Sequence, residues 1–596
     1  MKTTIHERLL AIREAMAKQQ IQAFIIPTAD PHLSEYPADC WKVRVWASGF
    51  TGSAGTLVIT STKAGLWTDS RYYLQASEQL LGTGIELYKM SSSETPTIPQ
   101  FINQELKTGD TVGFDGQTYS FAEATKLEQT LRRKQININP SVDLIRDLWL
   151  DRPAIPAAQL FEMPEEVSGQ STTEKLDAIN QMLHKHNADF LVLSALDEVA
   201  WTFNIRGTDV SYNPVVISYA VVSEKETVLF INPKKISSDT IERLQREGVK
   251  LADYSMLFFY LSKLPEHSRI LIDAARTNTA IVNALPKACE IINSISPASH
   301  LKSIKNETEI AGFRSALLKD GVAMTKFFYW LDKQLEAGIS VSEMDAARQV
   351  GHFRSEQPGY IMESFEPISS YGAHGAIVHY APSEETDIPL GNESLYLLDC
   401  GGHYLDGTTD ITRTIALCKE PTEQMKKDFT RALKGTISLA KCKFPTGTRG
   451  CLLDAFARKA LWDAGLQYGH GTSHGIGHCL NVHEGPQSIR MEENSTVLHA
   501  GMVMSDEPGL YREGEYGIRT ENIILIREDS ETEFGKFLAF ETMTLCHIDT
   551  SLIFPQMLST RELAWLNRYH HEVYDKISPF LTEEEAAWLK EKTKEI

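Results

Sequence analysis

A helix followed by an apolar strand occurs twice in the first half of this 596-residue chain. Residues 9–16 place apolar side chains at helical spacing, and they lead into the strand-like run 23–26. After the proline-bearing stretch 151–164, which is typical of a linker, a helix around 175–186 leads into the apolar run 190–193. Because alternating helices and strands are typical of α/β domains, the sequence predicts two α/β domains of similar build.

The pattern changes in the second half of the chain. A helix begins near residue 303, a second helix covers about 315–337, and short alternating strands with glycine turns follow from Tyr371. The tail after about 557 returns to helical periodicity, which favours a packing appendage or a dimer contact. A chain of this length is too long for a single core. We therefore predict an amino-terminal α/β domain at 1–155, a second one at 156–302, a third domain at 303–556 and a helical extension at 557–596.

Charge and composition exclude several classes of protein. The formal net charge is −20, whereas a nucleic-acid-binding surface needs clustered Lys and Arg. No apolar run reaches the roughly 20 residues that span a bilayer, and the start lacks the apolar region of a secretory signal. The 8 cysteines form no CxxC pair, so neither a zinc cage nor a disulfide framework is indicated. We expect a cytoplasmic protein that binds neither nucleic acid nor a membrane.

Two aspartates lie on either side of a glycine-rich turn. Asp399 ends an apolar run, where a carboxylate is costly unless it is paired or metal-bound. Asp410 lies in the alternating strand 410–415, and the glycines between the two aspartates would turn the chain back. A hairpin of this kind can place both carboxylates on one face, where a shared cation would resolve their repulsion.

Three further side chains complete a candidate metal site. His474 follows a glycine-rich loop, Glu507 precedes the turn 508–509, and Glu521 lies on the next strand. Two Asp, two Glu and a single His suit Mn²⁺, Co²⁺ or Fe²⁺ better than zinc. Four carboxylates also offset the charge of two divalent ions, and a metal pair is a recurring hydrolytic device. The sequence therefore predicts two divalent metal ions, with Mn²⁺ the best fit and Co²⁺, Zn²⁺ or Fe²⁺ as alternatives.

These segments resemble the catalytic domain of the pita-bread metallopeptidases, which include methionine aminopeptidases, prolidases, creatinases and aminopeptidases P. The runs 470–477 (His-Gly-Thr-Ser-His-Gly-Ile-Gly) and 481–486 (Asn-Val-His-Glu-Gly-Pro) most resemble the Xaa-Pro aminopeptidase branch. Two α/β domains before the catalytic one resemble the three-domain form of that branch, and the match extends from Phe24 to about Leu566. The resemblance implies a pita-bread catalytic domain that hydrolyses the first peptide bond of Xaa-Pro peptides.

The resemblance also implies a role for each candidate ligand. Asp399 would hold one metal, and Asp410 and Glu521 would bridge both. His474 and Glu507 would complete the site of the other metal. Glu507 would also act as the general base that takes a proton from a bridging water.

Further positions match residues that contact the substrate or support the ligands in this family. His379 and His483 would orient the substrate and stabilise the tetrahedral intermediate by hydrogen bonding. The other matches are His470 in the pocket, Trp462 near the proline, Arg71 from the first domain, and Arg519 beside a ligand carboxylate. The remaining histidines near these segments match no such position and favour structural or surface roles: His374, His403 and His478.

Two rival functions follow from the same residues. A prolidase that acts only on Xaa-Pro dipeptides is the nearer one, although the long amino-terminal half and the 470–486 segment favour the aminopeptidase. The other is a non-catalytic pita-bread protein that binds peptides or partners, which the full set of five ligands disfavours. Proline-containing peptides are the expected partners, and resemblance to the three-domain branch implies a homodimer.

Overall fold

The computed structural model describes residues 3–90, 92 and 94–596. They form two compact units. The first unit takes in the chain up to residue 163 together with 170–299, and the second takes in 164–169 together with 300–596. The predicted domain boundaries at 155, 302 and 556 stay predictions.

The first unit is built around two six-stranded sheets. In chain order, the elements up to residue 303 are α1 (Ile5–Lys18), β1 (Ala23–Pro27), α2 (Val43–Ser48), β2 (Thr56–Thr60), β3 (Ala64–Thr68), α3 (Tyr73–Gln79), β4 (Glu86–Lys89), α4 (Ile98–Glu105), β5 (Thr111–Phe114), α5 (Phe121–Leu131), β6 (Asn137–Asn139), β7 (Phe161–Glu162), α6 (Glu165–Ser168), α7 (Thr172–His186), β8 (Phe190–Leu193), α8 (Leu196–Thr202), β9 (Ile205–Arg206), β10 (Ser218–Val222), β11 (Thr227–Ile231), α9 (Ser238–Arg246), β12 (Val249–Ala252), α10 (Leu257–Leu261), β13 (Arg269–Ile272), α11 (Thr279–Ala284), β14 (Glu290–Asn293) and α12 (Pro297–Ser303).

The two sheets share one strand order and one set of strand directions. The first has the order β4-β3-β2-β1-β5-β6 and the second the order β12-β11-β10-β8-β13-β14. In the first sheet β1 pairs antiparallel with β2 and parallel with β5, and in the second β8 pairs antiparallel with β10 and parallel with β13. The remaining neighbours match in direction as well. This agreement confirms the predicted pair of similar α/β domains.

The first helix of each repeat has the same design. A capping box starts α1 at Thr4 and Glu7, and another starts α7 at Ser171 and Glu174, so that two otherwise unpaired backbone N–H groups are satisfied in each. Each helix buries three apolar side chains at positions i, i+3 and i+7: Leu9, Ile12 and Met16 in α1, and Leu176, Ile179 and Leu183 in α7. Since this spacing lines one helix face, both helices present an apolar stripe that must be buried.

The second unit carries the strand-rich part of the chain. Its elements after residue 303 are α13 (Glu307–Glu336), α14 (Glu343–Ser355), β15 (Tyr360–Glu363), β16 (Ile368–Tyr371), β17 (Leu395–Cys400), β18 (Gly402–Tyr404), β19 (Gly407–Thr408), β20 (Ile411–Ala416), α15 (Glu423–Ala440), β21 (Lys443–Pro445), α16 (Asp454–Trp462), β22 (Ser473–Gly475), β23 (Glu484–Ile489), β24 (Val503–Asp506), β25 (Gly509–Arg512), β26 (Tyr516–Arg519), β27 (Asn522–Thr532), β28 (Gly535–Thr542), α17 (Thr560–Ile577) and α18 (Glu583–Lys592). The sheets have the orders β21-β28-β27-β24-β22-β23, β16-β17-β20, β15-β18-β19 and β25-β26.

The prediction of two separate helices over 303–337 is wrong, because the structure has the single 30-residue helix α13. Glycines within a helix normally weaken it, but here they allow close contacts. A Cβ on Gly312 would lie 2.4 Å from the carbonyl oxygen of Asp406, and one on Gly321 would lie 2.4 Å from that of Leu545. These glycines therefore mark packing positions inside one helix instead of helix ends.

The carboxy-terminal helices belong to the core of the second unit. Trp565 from α17 and Leu589 from α18 lie in the same buried cluster as Val322 from α13 and Leu395 from β17. Leu589 is fully buried. Of the two interpretations of the tail, a packing element therefore holds.

We expect acid to destabilise this unit through two buried histidines. Burial, together with the nearby Arg413 charge, lowers the pKa of His570 to about 4. Burial likewise lowers the pKa of His547 well below its ordinary value. Because an unfolded histidine has a pKa of about 6.5, unfolding takes up protons below that pH and the free energy of unfolding falls. The loss for His570 alone should approach about 3 kcal/mol between pH 6.5 and pH 4.

Urea unfolding of the whole protein across this pH range measures the free energy of unfolding. His570→Gln keeps an acceptor for the Ile548 N–H, which donates to His570 Nε2 over 3.1 Å, and should flatten the pH dependence. An equal slope in this variant would contradict the assignment.

Candidate metal centre

The predicted hairpin around the two aspartates is present. β17 and β20 pair antiparallel, with Asp399 opposite Thr412. The connection includes Gly401, where a Cβ would lie 2.0 Å from the carbonyl oxygen of Thr409, so only glycine fits there. Asp410 directly precedes β20 and is buried, as is Asp399.

Three neighbouring strands of the six-stranded sheet bring the other candidate ligands to one place. β24 and β27 pair antiparallel with Asp506 opposite Asn522, so the adjoining Glu507 and Glu521 lie at the same end of the pair. β22 pairs with β24 through Gly475. The residue before Gly475 is His474, which therefore lies beside the same strand end.

The side chains converge on a small buried volume. Asp410, His474 and Glu521 each offer one ligand atom, and these atoms lie within 4.8 Å of one another. His474 Nε2 lies 3.4 Å from Asp410 Oδ2 and 3.5 Å from Glu507 Oε1. Asp399 Oδ1 is buried and has no hydrogen-bond partner among the described residues.

Crowding of buried carboxyl groups sets the electrostatics of the cluster. Burial, with a smaller contribution from the Asp410 and Asp399 charges, raises the pKa of Glu507 to about 7 against the opposing charges of His474 and Arg519. Burial and the same two aspartates raise the pKa of Glu521 well above its ordinary value. Deprotonating the whole cluster is therefore unfavourable unless further positive charge is present.

The pKa of His474 is raised as well, but in a basic group this shift favours the charged form. Burial alone would lower its pKa, but the hydrogen bond to Asp410 and the charge of Glu507 raise the pKa to about 9. The imidazole thus supplies part of the positive charge that the carboxylates require. A bound cation would take over that role and leave the ring neutral, as a ligand must be.

Arg519 lies beside the candidate ligand Asp399. Its Nη2 donates to Asp399 Oδ2 over 2.5 Å, and its Nε donates to Thr412 Oγ1 over 3.0 Å. Thr412 Oγ1 in turn donates to Glu521 Oε2 over 2.8 Å. One guanidinium therefore fixes the orientation of Asp399 directly and that of Glu521 through a hydroxyl group.

Tyr511 is a site residue that the sequence did not reveal. Arg519 Nη1 donates to Tyr511 Oη over 2.6 Å, and His470 Nε2 lies 2.8 Å from the same oxygen. The other ring nitrogen, His470 Nδ1, lies 3.7 Å from Glu507 Oε2. In the β25–β26 hairpin Gly509 lies opposite Arg519, which makes Tyr511 a diagonal neighbour of Arg519 on one face. Only the pairing of β25 with β26 identifies Tyr511 as a neighbour of Arg519.

The remaining predicted residues are placed as follows. The ring centroid of His483 lies 4.5 Å from that of His474, at an interplanar angle of 86°. His379 follows Val378, whose carbonyl oxygen accepts from Arg519 Nη2 over 3.4 Å.

Two other predicted positions are not brought together with the ligands by any described contact. Trp462 ends α16 with 42% of its surface exposed, and the described residues give it no hydrogen bond or ring contact with the cluster. Arg71 lies in the first unit, where its Nη2 pairs with Asp69 Oδ2 over 2.8 Å. Substrate contacts by both residues stay predictions.

The loop that carries His379 packs tightly against the strand that carries Arg519. A Cβ on Gly517 would lie only 1.7 Å from the carbonyl oxygen of Gly375. The two backbones can approach this closely only because position 517 has no side chain.

Family comparisons define the class of the chain. Residues 8–148 and 151–309 each match the creatinase/prolidase N-terminal domain, and residues 311–528 match metallopeptidase family M24. Residues 536–596 match the C-terminal region of M24 peptidases. The chain therefore combines two creatinase-type amino-terminal domains with a pita-bread metallopeptidase domain, as the fold indicates.

Full-length relatives narrow the class to one branch. A probable Xaa-Pro aminopeptidase P of Coprinopsis cinerea is 40% identical, over 99% of this chain and 98% of that protein. A Xaa-Pro aminopeptidase of Drosophila melanogaster is 39% identical over 100% of both chains. The crystal structure of the X-prolyl aminopeptidase of Caenorhabditis elegans, a cytosolic enzyme with a dinuclear active site, superimposes with a TM-score of 0.95 at 33% identity and covers 100% of both chains. The chain belongs to the Xaa-Pro aminopeptidase family of M24 metallopeptidases.

The predicted enzyme class, a metal-dependent aminopeptidase, is thereby confirmed.

Among the described residues, none of the helices combines the length and the apolar character needed to cross a bilayer.

We expect Gly517→Ala to destabilise the second unit and to displace the loop 371–380. Overpacking of this kind costs roughly 1–3 kcal/mol, and the backbone of Gly375 has no flexible side chain that could yield. Thermal unfolding should show the loss. Gly471→Ala is the matched control, because its added Cβ would meet its nearest atom at 3.6 Å. An unchanged melting temperature in Gly517→Ala would contradict tight packing of this loop against β26.

Proposed function

We propose that this chain removes the first residue from peptides with proline in the second position. Two divalent metal ions would be held by Asp399, Asp410, His474, Glu507 and Glu521. The observation that carries the proposal is the buried group of Asp410, His474 and Glu521, whose ligand atoms lie within 4.8 Å of one another. The relatives named Xaa-Pro aminopeptidase support the substrate class, and the dinuclear site of the C. elegans enzyme supports a pair of metals.

The residues present fit such a metal pair. Asp399 Oδ1 is buried without a hydrogen-bond partner among the described residues, which is costly unless a cation lies against it. The raised pKa values of Glu507 and Glu521 indicate a cluster that lacks positive charge. Carboxylate oxygens with a single imidazole suit Mn²⁺. We propose Mn²⁺ as the metal, with Co²⁺, Zn²⁺ and Fe²⁺ as alternatives.

Glu507 is the proposed general base. When bound, two divalent ions would polarise the scissile carbonyl and make a water molecule more acidic. Glu507 Oε1 lies 3.5 Å from His474 Nε2, beside the proposed ligands, so its carboxylate is positioned to accept a proton from water and return it to the leaving amine. The neighbouring His470 Nδ1, 3.7 Å from Glu507 Oε2, stabilises the charged form of this carboxylate when the imidazole is protonated.

Two histidines are proposed to contact the substrate. His483 lies edge-on to His474 with ring centroids 4.5 Å apart, which puts a hydrogen-bond donor beside the ligand cluster. His379 follows a residue that Arg519 holds by its backbone. Both would orient the peptide and donate to the oxygen that gains charge during the attack.

Selection of proline follows from what the imino acid lacks. Proline has no backbone N–H. In a pocket that has no hydrogen-bond acceptor for a backbone N–H, proline therefore loses no hydrogen bond relative to other residues. We propose that Trp462 forms an aromatic wall near the proline and that Arg71 of the first unit reaches the substrate. We propose a homodimer on the resemblance to the three-domain branch. We also propose a cytoplasmic location, which the cytosolic C. elegans enzyme supports, and domain boundaries at 155, 302 and 556 from the pattern of helices and strands.

We expect metal-stripped protein restored with Mn²⁺ to release arginine from Arg-Pro-Pro and to leave Arg-Ala-Ala intact. The dipeptide Arg-Pro should be a poorer substrate than the tripeptide. Amino-acid release followed by chromatography measures all three reactions. Cleavage of the dipeptide alone would move the assignment to a prolidase, and no cleavage with any divalent metal would contradict an enzymatic function.

Glu507→Gln should lower kcat by about 10²–10⁴, the usual contribution of a general base. Glu513→Gln is the matched control, since Glu513 is an exposed residue six positions further along the chain. Steady-state kinetics with Arg-Pro-Pro and metal analysis of both variants give the result. A kcat near that of the unmodified protein in Glu507→Gln, with full metal content, would remove Glu507 from this role.

A further inference from the structure

The first residue of α14 carries a buried carboxylate that the proposed reaction does not use. Glu343 is fully buried. Its Oε1 accepts from the backbone N–H of Tyr371 over 2.7 Å, and its Oε2 accepts from Tyr380 Oη over 2.8 Å. His374 Nδ1 lies 3.0 Å from both carboxylate oxygens. A buried carboxylate is tolerated only when its oxygens are satisfied in this way, and every one of these donors comes from the loop 371–380.

The position of Glu343 in its helix suits this role. It is the first residue after the N-cap Ser342, in a helix of 13 residues. The first turn of a helix carries partial positive charge from its unpaired N–H groups, which stabilises a carboxylate there. The helix thus presents a fixed acceptor to the loop.

The opposite side of the same loop is fixed as well. Arg519 Nη2 donates to the carbonyl oxygen of Val378 over 3.4 Å. Gly375 and Gly517 are in such close contact that no Cβ fits at position 517. The loop is therefore held between α14 on one side and β26 on the other.

His379 lies between the two anchored residues of this loop. Val378 before it is held by Arg519, and Tyr380 after it is held by Glu343. Anchors on both sides leave the backbone of His379 little freedom. The geometry therefore fixes the position of the His379 backbone, from which the side chain extends.

We propose that Glu343 is a positioning residue that holds His379 over the metal centre through Tyr380 and His374, an inference that rests on the proposed role of His379 with substrate. Loss of this anchor lets the loop shift while the five proposed ligands keep their places. A misplacement of about 1 Å at a reacting group can cost about 10²-fold in rate. The effect therefore falls on turnover and not on metal binding.

Tyr380→Phe is the sharpest test, because it removes a single hydroxyl, which donates to Glu343 and also contacts Thr386. We expect kcat for Arg-Pro-Pro to fall by about 10-fold or more, within the limit of about 10²-fold for such a displacement, with Mn²⁺ content unchanged. Glu343→Gln should lower kcat further, and Glu343→Asp should recover part of that loss. Tyr360→Phe is the matched control, since Tyr360 Oη donates to Glu363 Oε1 over the same 2.8 Å but away from this loop. It should leave kcat unchanged.

A double-mutant cycle with His379→Ala separates positioning from a general structural role. If Tyr380 acts through His379, Tyr380→Phe should lower kcat no further in the His379→Ala background. Losses that multiply would overturn the inference, and so would an equal loss in Tyr360→Phe. Should Glu343→Gln fail to fold, Tyr380→Phe and its cycle decide the matter alone.

The outcomes also separate this inference from the proposed function. Active unmodified protein with an unchanged kcat in Tyr380→Phe overturns the positioning role and leaves the aminopeptidase proposal standing. Unmodified protein that is inactive with Mn²⁺, Co²⁺, Zn²⁺ and Fe²⁺ alike overturns both.

Discussion

Mutual repulsion among buried carboxylates is the constraint on which the catalytic unit depends. Asp399 and Asp410 come from one hairpin, and Glu507 and Glu521 come from adjoining strand ends of another sheet. Left alone, four such groups would separate or take up protons. Arg519 holds one of them by its guanidinium, and the strand pairings hold the rest through the backbone. The fold therefore supplies the stability that this cluster lacks, which is the usual relation between a scaffold and a preorganised metal site.

The periodic spacing of apolar residues accounts for most of the fold that could be predicted from the sequence. The spacing of Leu9, Ile12 and Met16 marks a helix face wherever it occurs, and its recurrence in α7 made the paired domains visible. The five candidate ligands were visible for a related reason: each stands beside a glycine turn or at a strand end. Helix continuity was not predictable in the same way, because Gly312 and Gly321 serve contacts with distant carbonyl groups that leave no local trace.

Side chains that act through distant partners escaped the sequence analysis. Glu343 looks like an ordinary helix-start residue, and nothing near it points to donors in the loop 371–380. Likewise Lys302 and Lys305 enclose the buried Glu484, about 180 residues further along the chain. Tyr511 became recognisable only through the register of a hairpin. Tertiary packing sets contacts of this kind, and no periodic pattern of residues in a single sequence indicates them.

The burial of Trp565 and Leu589 beside Val322 and Leu395 has a consequence for biosynthesis. Domains fold in turn as the chain leaves the ribosome, amino-terminal parts first. The two creatinase-type domains can close early, because their sheets draw on nearby segments. The core that contains Leu589 cannot be complete until residue 589 has been made. The catalytic unit therefore completes its packing only after most of its own polypeptide has been synthesised.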